Sequence, residues 1–295
     1  RRHHDIDKWY KCNLEAFPED LRNLFCQCSM DKVTEQFLDV SYEKSDWILT
    51  QAWHSFLKTF LGFFMSTTSI NGLLQRGSMF VFSNEQFRSL LHIDADFRAD
   101  HLLDLGAGDG KVTEVMAGHF KRVSATEVSS TMRWRLQQLG YTILRLDQWA
   151  GHKYDVISCL NLLDRCERPA TIMQDIHRSL VPGGVTIVAM VLPFKPFVET
   201  GLNQNQPVEK LHVQGKTLEE QAASVVKDFF TPAGFMVEAF TKLPYLCEGD
   251  AENPFYVLRD VVFVLKRTMD QGVPLPHVEC DSGADESDVV LDITS

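Results

Sequence analysis

Asp104, Gly106, Gly108 and Gly110 stand at alternate positions in the stretch His101-Leu102-Leu103-Asp104-Leu105-Gly106-Ala107-Gly108-Asp109-Gly110, where the residue types are richest in chemistry. An apolar run leads into an acid and then into glycines, and a helix can begin at Lys111. Glycine lacks a Cβ and tolerates positive φ, so a turn at Gly106-Ala107-Gly108 brings backbone close to a ligand, and the helix start beyond it offers free N–H groups. A second strand, Arg122 to Thr126, ends at Glu127, 23 positions after Asp104. A carboxylate there can accept both hydroxyls of a ribose. A further run, Tyr154 to Cys159, delivers Asn161 and Asp164. An amide and a carboxylate beyond a buried strand are aimed where an acceptor molecule must sit.

The spacing separates two cofactor classes. Dinucleotide enzymes favour G-x-G-x-x-G, with pyrophosphate on the helix N-terminus. Here it is G-x-G-x-G with an acid two residues ahead, which resembles the first motif of the seven-strand S-adenosylmethionine (SAM) methyltransferases. That resemblance implies SAM as cofactor and S-adenosylhomocysteine as product. In such a fold an acid after the third strand commonly receives the adenine amino group, which makes Asp147 a candidate. The hydroxyl-rich stretch Ser66 to Phe82 lies just ahead of the first strand, and Arg76 or Ser78 can reach the polar end of the cofactor.

The elements that must position these residues read as α/β. Residues 1–65 form an N-terminal helical extension, with short helices and then a long apolar stripe from Ser45, a plausible cap, to Met65. The stripe suits a helix docked on the main domain, with a membrane-surface helix as the alternative. Residues 66–267 form the catalytic domain, a seven-strand Rossmann-like sheet with helices on both faces. Ser83 caps a helix to Leu91. The strand that follows the turn Pro182-Gly183-Gly184 runs from Val185 to Leu192, and Pro169 opens the helix before it. Residues 193–215, rich in Pro, Asn and Gln, read as an insertion and substrate-side lid. Thr217 to Phe230 is a helix, Gly234 to Thr241 a sixth strand and Tyr256 to Lys266 a seventh, with Leu243 to Asp250 connecting the last two. Residues 268–295 read as an acidic disordered tail.

The net charge is −11, but the tail holds seven acids and no Lys or Arg, which leaves −4 for the remainder. A chain without a basic face is a poor partner for nucleic acid. The 7 cysteines show no zinc spacing. Free thiols are expected, with a disulfide among Cys12, Cys26 and Cys28 as the alternative in an oxidising compartment. No apolar run is long enough for a membrane span. The chain opens at Arg1 without a methionine, so the lack of a targeting segment is no argument for the cytosol.

Several blocks, SINGLLQRGSMFVFS, LLDLGAGDGKVT, ATEVSSTM, YDVISCLNLLDRC, EAFTKLPYLCEGD and YVLRDVVFVLK, together resemble the DREV family, also called methyltransferase-like protein nine. The resemblance covers about Trp9 to Lys266. It implies a monomeric protein-histidine methyltransferase acting on the pros nitrogen (Nδ1) of histidines in His-x-His motifs of substrate proteins. On this chain the cofactor motif falls on Asp104, Gly106, Ala107 and Gly108, with Glu127 as the ribose acid. The substrate-histidine contacts fall on Asn161 and Asp164, Asn161 also bordering the cofactor, and two pocket tyrosines match Tyr245 and Tyr256. The same resemblance implies the endoplasmic reticulum, with mitochondrion or cytoplasm as alternatives. The residues alone leave open a small-molecule methyltransferase or a silent SAM-binding scaffold.

Overall fold

The computed structural model describes residues 2–46, 78–198, 205–249 and 253–268. Arg76, most of the stripe from Ser45 to Met65, part of the 193–215 insertion and nearly all of the acidic tail lie outside the described residues. Eight strands form one sheet: β1 (Met79–Phe80), β2 (Ala99–Leu105), β3 (Phe120–Thr126), β4 (Thr142–Leu144), β5 (Tyr154–Leu160), β6 (Leu180–Val191), β7 (Phe235–Glu248) and β8 (Phe255–Arg267). Their order is β1-β7-β8-β6-β5-β2-β3-β4. The run from β6 to β4 is parallel, whereas β8 and β7 add antiparallel.

Three features of the sheet depart from the sequence reading. The two-residue β1 adds an eighth strand by pairing with Leu246 and Cys247. Leu243 to Glu248, expected as a connection, is instead the second half of β7, continuously paired with β8 from Leu243↔Asp260 to Glu248↔Phe255. Pro244 suggests a break, but a proline is tolerated on a strand near a sheet edge. Burial of Leu243, Tyr245 and Leu246 holds the segment extended. A third adjustment concerns β6, which starts at Leu180 and passes through Gly183 at φ +80° with a register irregularity, rather than starting after a turn.

Helices cover both faces. On one face lies α7 (Pro169–Ser179), opened by Pro169, whose missing N–H costs nothing at the first helical position. It buries Ala170, Met173 and Ile176 against Leu103, Leu105 and Ile157. α8 (Leu218–Val225), started by a Thr217/Glu220 capping box, packs on the same face and runs into a π turn, Val226–Phe230. On the other face, α4 (Asn84–Leu91) begins with a Ser83/Gln86 capping box, and α5 (Lys111–Ala117) follows the glycine turn. Their Phe87, Leu90 and Met116 pack with Leu102, Val156 and Val262. α6 (Ser130–Gln138), capped by Ser129, links β3 to β4.

The N-terminal segment carries α1 (Arg2–Tyr10), α2 (Glu19–Arg22) and α3 (Lys32–Asp46). Lys242 on β7 donates to the backbone oxygens of Lys8 and Lys11 and ties this segment to the sheet. Ser45, read as the cap of a new helix, lies within α3. Cys12, Cys26 and Cys28 are free thiols, so the alternative of a disulfide is not realised. Cys28 is buried and its thiol is pushed up to about 11 by desolvation, and the Cys26 sulfur lies 3.6 Å from the Ser89 hydroxyl. No helix among the described residues is long and apolar enough to cross a membrane.

One position in β8 has a thermodynamic signature. Asp260 is 0% exposed, and burial raises its carboxyl to about 8, the Asn161 hydrogen bond pulling it down and the charge of Asp164 adding to the rise. A carboxyl that titrates higher folded than unfolded stabilises the fold only while protonated, so wild-type stability is lost as pH climbs from about 4, the unfolded value, to about 8. The difference in thermal midpoint between Asp260→Asn and wild type is therefore expected to move in favour of the variant across that window and to level off above it. Midpoints measured at intervals of pH check this, and a constant difference would contradict it.

Candidate functional site

The sheet reverses direction between β2 and β5. From β2 the chain winds outward through β3 and β4, and from β5 through β6 the other way. Ligands in open parallel sheets bind outside the carboxyl ends of the strands at such a switch point. Here that crevice is lined by the glycine turn after β2 and by Asn161 to Asp164 after β5.

The turn leaves β2 with Gly106, Gly108 and Gly110 at φ +70°, +55° and +83°. Gly106 has a second constraint, since a Cβ on it would lie 3.1 Å from Cδ1 of Leu162. The turn is held from both sides. Gly106 N–H donates to the Thr126 hydroxyl (3.2 Å), Ala107 N–H to Thr126 O (3.0 Å) and Gly108 N–H to Glu127 Oε2 (3.0 Å). Glu127 Oε1 accepts from Ser129 N–H at 2.8 Å. The half-buried Glu127 thus sits at the end of β3 beside the turn, and carboxylate oxygens that already accept one bond keep capacity for hydroxyl donors.

Asp104 lies beneath the turn rather than in it. It is 3% exposed, and its oxygens accept from the hydroxyls of Thr113 (2.6 Å) and Ser158 (2.7 Å). Burial lifts its carboxyl to about 6 against the pull of those two bonds. Its contribution to cofactor binding runs through the shape of the turn. Ser78 is buried; its hydroxyl accepts from Lys111 Nζ at 2.6 Å, and its backbone is paired with Glu248. It therefore anchors α5 to the β1–β7 edge. Asp147 is exposed and bonded to the Arg145 guanidinium at 3.1 and 3.3 Å, which holds its carboxyl below the usual carboxylate range.

Across the crevice, Asn161 takes φ +54°, a left-handed conformation that asparagine tolerates better than most side chains. Its N–H bonds Ala189 O at 3.0 Å, and its side-chain Nδ2 donates to Asp260 Oδ2 at 2.8 Å. Asn161 is 9% and Asp164 8% exposed, and Asn161 Oδ1, Asp164 Oδ1 and Asp260 Oδ1 are buried acceptors with no hydrogen-bond partner. Desolvation raises the Asp164 carboxyl, with Arg165, 3.8 Å from Oδ2, lowering it. Unsatisfied buried acceptor oxygens are costly unless a donor or a cation fills the demand, and a cofactor carrying a sulfonium and an ammonium supplies both.

The two tyrosines share a sheet face with Asp260. Tyr245 pairs with Leu258 and Leu243 with Asp260, and side chains alternate along strands, so Tyr245, Tyr256 and Asp260 project the same way. Tyr245 is buried, which pushes its phenol well above the usual range, and its hydroxyl contacts the Met79 sulfur. Met79 Cε reaches to 4.0 Å of the Cβ position of Gly108, so this methionine bridges the acceptor tyrosine and the glycine turn. Tyr256 is exposed, its hydroxyl taking a bond from Asn253 Nδ2. The sequence reading missed Met79, Lys111 and Asp260. Only Asp260 left a local signal, an acid next to Arg259 at the head of the apolar run Val261 to Leu265.

A profile of the DREV methyltransferase family matches residues 9–267. The ubiquinone biosynthesis O-methyltransferase of Pseudomonas aeruginosa (strain UCBPP-PA14) is 28% identical over 101 residues, 30% of this chain and 44% of the relative, and that of strain LESB58 matches to the same extent. The chain thus spans less than half the length of these curated relatives. Among solved structures, a DhpI–SAH complex shares 15% identity with a TM-score of 0.38, covering 76% of this chain and 96% of its own. A putative RNA methyltransferase, PH1948 from Pyrococcus horikoshii, shares 12% with a TM-score of 0.43, covering 63% and 82%. With its glycine turn, its switch-point crevice and a family match that spans nearly the whole described chain, the protein belongs to the DREV methyltransferase family and takes S-adenosylmethionine as its cofactor.

Proposed function

We propose that the chain methylates the pros nitrogen (Nδ1) of histidine in His-x-His segments of protein substrates. The observation that carries this reading is the pair of buried, unpartnered acceptor oxygens, Asn161 Oδ1 and Asp164 Oδ1, next to the glycine turn. When bound, the cofactor supplies an electrophilic methyl on a sulfonium, whose bonding pair stays with sulfur as the new N–C bond forms. Everything else falls to the protein. Asp164 accepts the Nε2–H of a neutral imidazole, which fixes the tautomer and leaves the Nδ1 lone pair free. No strong base is needed, because most imidazole is already unprotonated near neutral pH. As the ring becomes cationic, Asp164 and the Asn161 carbonyl face the growing charge from fixed positions, which is worth more than the same groups in water. The Nε2 proton then leaves through Asp164 to solvent, and the product ring is neutral. An isolated carboxylate in this pocket is penalised by burial, so a cationic partner relieves the penalty during transfer.

A small-molecule reading is favoured by the partial match to ubiquinone O-methyltransferases. A hydroxyl acceptor, however, must lose its proton before or during attack, whereas a neutral imidazole attacks through a lone pair it already has.

Mass spectrometry of a His-x-His peptide incubated with enzyme and SAM is expected to show one added methyl unit on a histidine, while a phenolic acceptor shows none; the reverse pattern would overturn the reading. Asp164→Ala is expected to lower turnover on that peptide about 10²-fold or more with SAM affinity by calorimetry nearly unchanged. Unaltered turnover would remove Asp164 from the mechanism. Gly106→Ala, strained at φ +70° and pressed on Leu162, is expected to weaken SAM binding about tenfold or more, the affinity equivalent of roughly 1–2 kcal/mol of left-handed strain. Wild-type affinity in that variant would show that the turn does not carry the cofactor.

A further inference from the structure

Asp260 has no role in the mechanism above, yet it is the most deeply buried polar group around the acceptor pocket. It lies in β8 with Val191 on one side and Leu243 on the other, is 0% exposed, and accepts a side-chain hydrogen bond from Asn161 Nδ2 at 2.8 Å. A carboxyl group placed among Val261, Val262 and Leu243 is expensive, and an apolar residue of similar size would pack there without the penalty. A single hydrogen bond is a poor structural reason to keep it.

The chemistry of an amide supplies a better reason. An asparagine side chain has a carbonyl oxygen and an NH2 group pointing apart, and the two are interchanged by a half-turn about the Cβ–Cγ bond. In one orientation Asn161 aims its carbonyl dipole at the pocket, in the other its N–H groups. Only the first suits an acceptor ring on which positive charge develops. We propose that Asp260 is a positioning residue for methyl transfer: by holding Asn161 Nδ2 it turns Asn161 Oδ1 toward the acceptor, beside Asp164 Oδ1. The half-turned amide would set its carbonyl oxygen against Asp260 Oδ2, acceptor against acceptor. This inference rests on the histidine reading and deepens it, since it makes the pocket one of oxygens only, matched to a ring that becomes a cation.

Asn at position 260 keeps an acceptor oxygen beside Asn161, and Leu reproduces the shape without one.

The test is a double-mutant cycle on the intact chain with the His-x-His peptide and SAM. Asp260→Leu is expected to lower kcat about 10²-fold, with a smaller change in peptide KM, unchanged SAM affinity and a cooperative thermal transition. Asp260→Asn is expected to bring kcat back to within about tenfold of wild type. In an Asn161→Ala background, Asp260→Leu is expected to cost almost nothing further, because the group it orients is gone. Equal loss from Asp260→Leu with and without Asn161, or no loss in either, would overturn the inference. If Asp260→Leu fails to fold, the comparison of Asp260→Asn with Asp260→Ser, an acceptor too short to reach, decides in the same way: kcat equal in the two overturns it. A wild-type enzyme that binds SAM but leaves the peptide unmodified would overturn the histidine reading, and this inference with it, whereas active wild type with uncoupled variants would overturn the inference alone.

Discussion

Buried negative charge is the constraint around which this molecule is arranged. Asp104 and Asp260 lie within a sheet otherwise packed with Leu, Val, Ile and Phe, and Asp164 is buried in the turn beyond β5; a carboxylate taken out of water must be compensated or neutralised. Each is treated differently. Asp104 is compensated by the hydroxyls of Thr113 and Ser158, one from α5 and one from β5. It thereby locks three elements at the foot of the glycine turn. Asp260 is compensated by Asn161 and pushed toward its neutral form. Asp164 has a backbone N–H and a guanidinium 3.8 Å from Oδ2, and its Oδ1, like Asp260 Oδ1, has no partner.

The cofactor side and the acceptor side are physically continuous. Leu162, between Asn161 and Asp164, packs where a Gly106 side chain would be, and Met79 lies over Gly108 while touching the Tyr245 hydroxyl. Lys111, at the start of α5, reaches Ser78 next to Met79. Methyl transfer between two bound molecules gains most of its rate from alignment, and alignment requires that neither side of the crevice move independently. Shared apolar contacts through Leu162 and Met79 couple the two loops more directly than the sheet alone would.

Local signals were enough to read much of this. The glycine turn, the acid at the end of β3, the capping residue Ser83 and the parallel strands all announce themselves within a few residues, through φ requirements, caps and apolar runs. Asn161 and Asp164 were legible because a strand's carboxyl end points its next residues at the crevice. Features made by contacts distant in sequence were not. Asp260 meets Asn161 across 99 positions, and nothing in β8 alone says that its acid faces inward. The second half of β7 read as a connection because Pro244 and the Cys-Glu-Gly-Asp ending outweighed the burial of Tyr245 and Leu246, which only the pairing with β8 reveals. Met79 was hidden because a two-residue strand carries no period of its own.

The β7–β8 pair also explains why the acceptor site is where it is. β6 pairs with β8 only as far as Val191↔Asp260, whereas β7 and β8 continue together to Glu248↔Phe255. The two strands therefore stand above the rim of the parallel sheet as a ribbon, and Asp260 marks the level at which the sheet stops and the ribbon begins. Below that level side chains are packed on both faces; above it Tyr256 and Leu258 are exposed. A chain segment approaching along the ribbon would meet apolar and phenolic surface first and buried oxygens last.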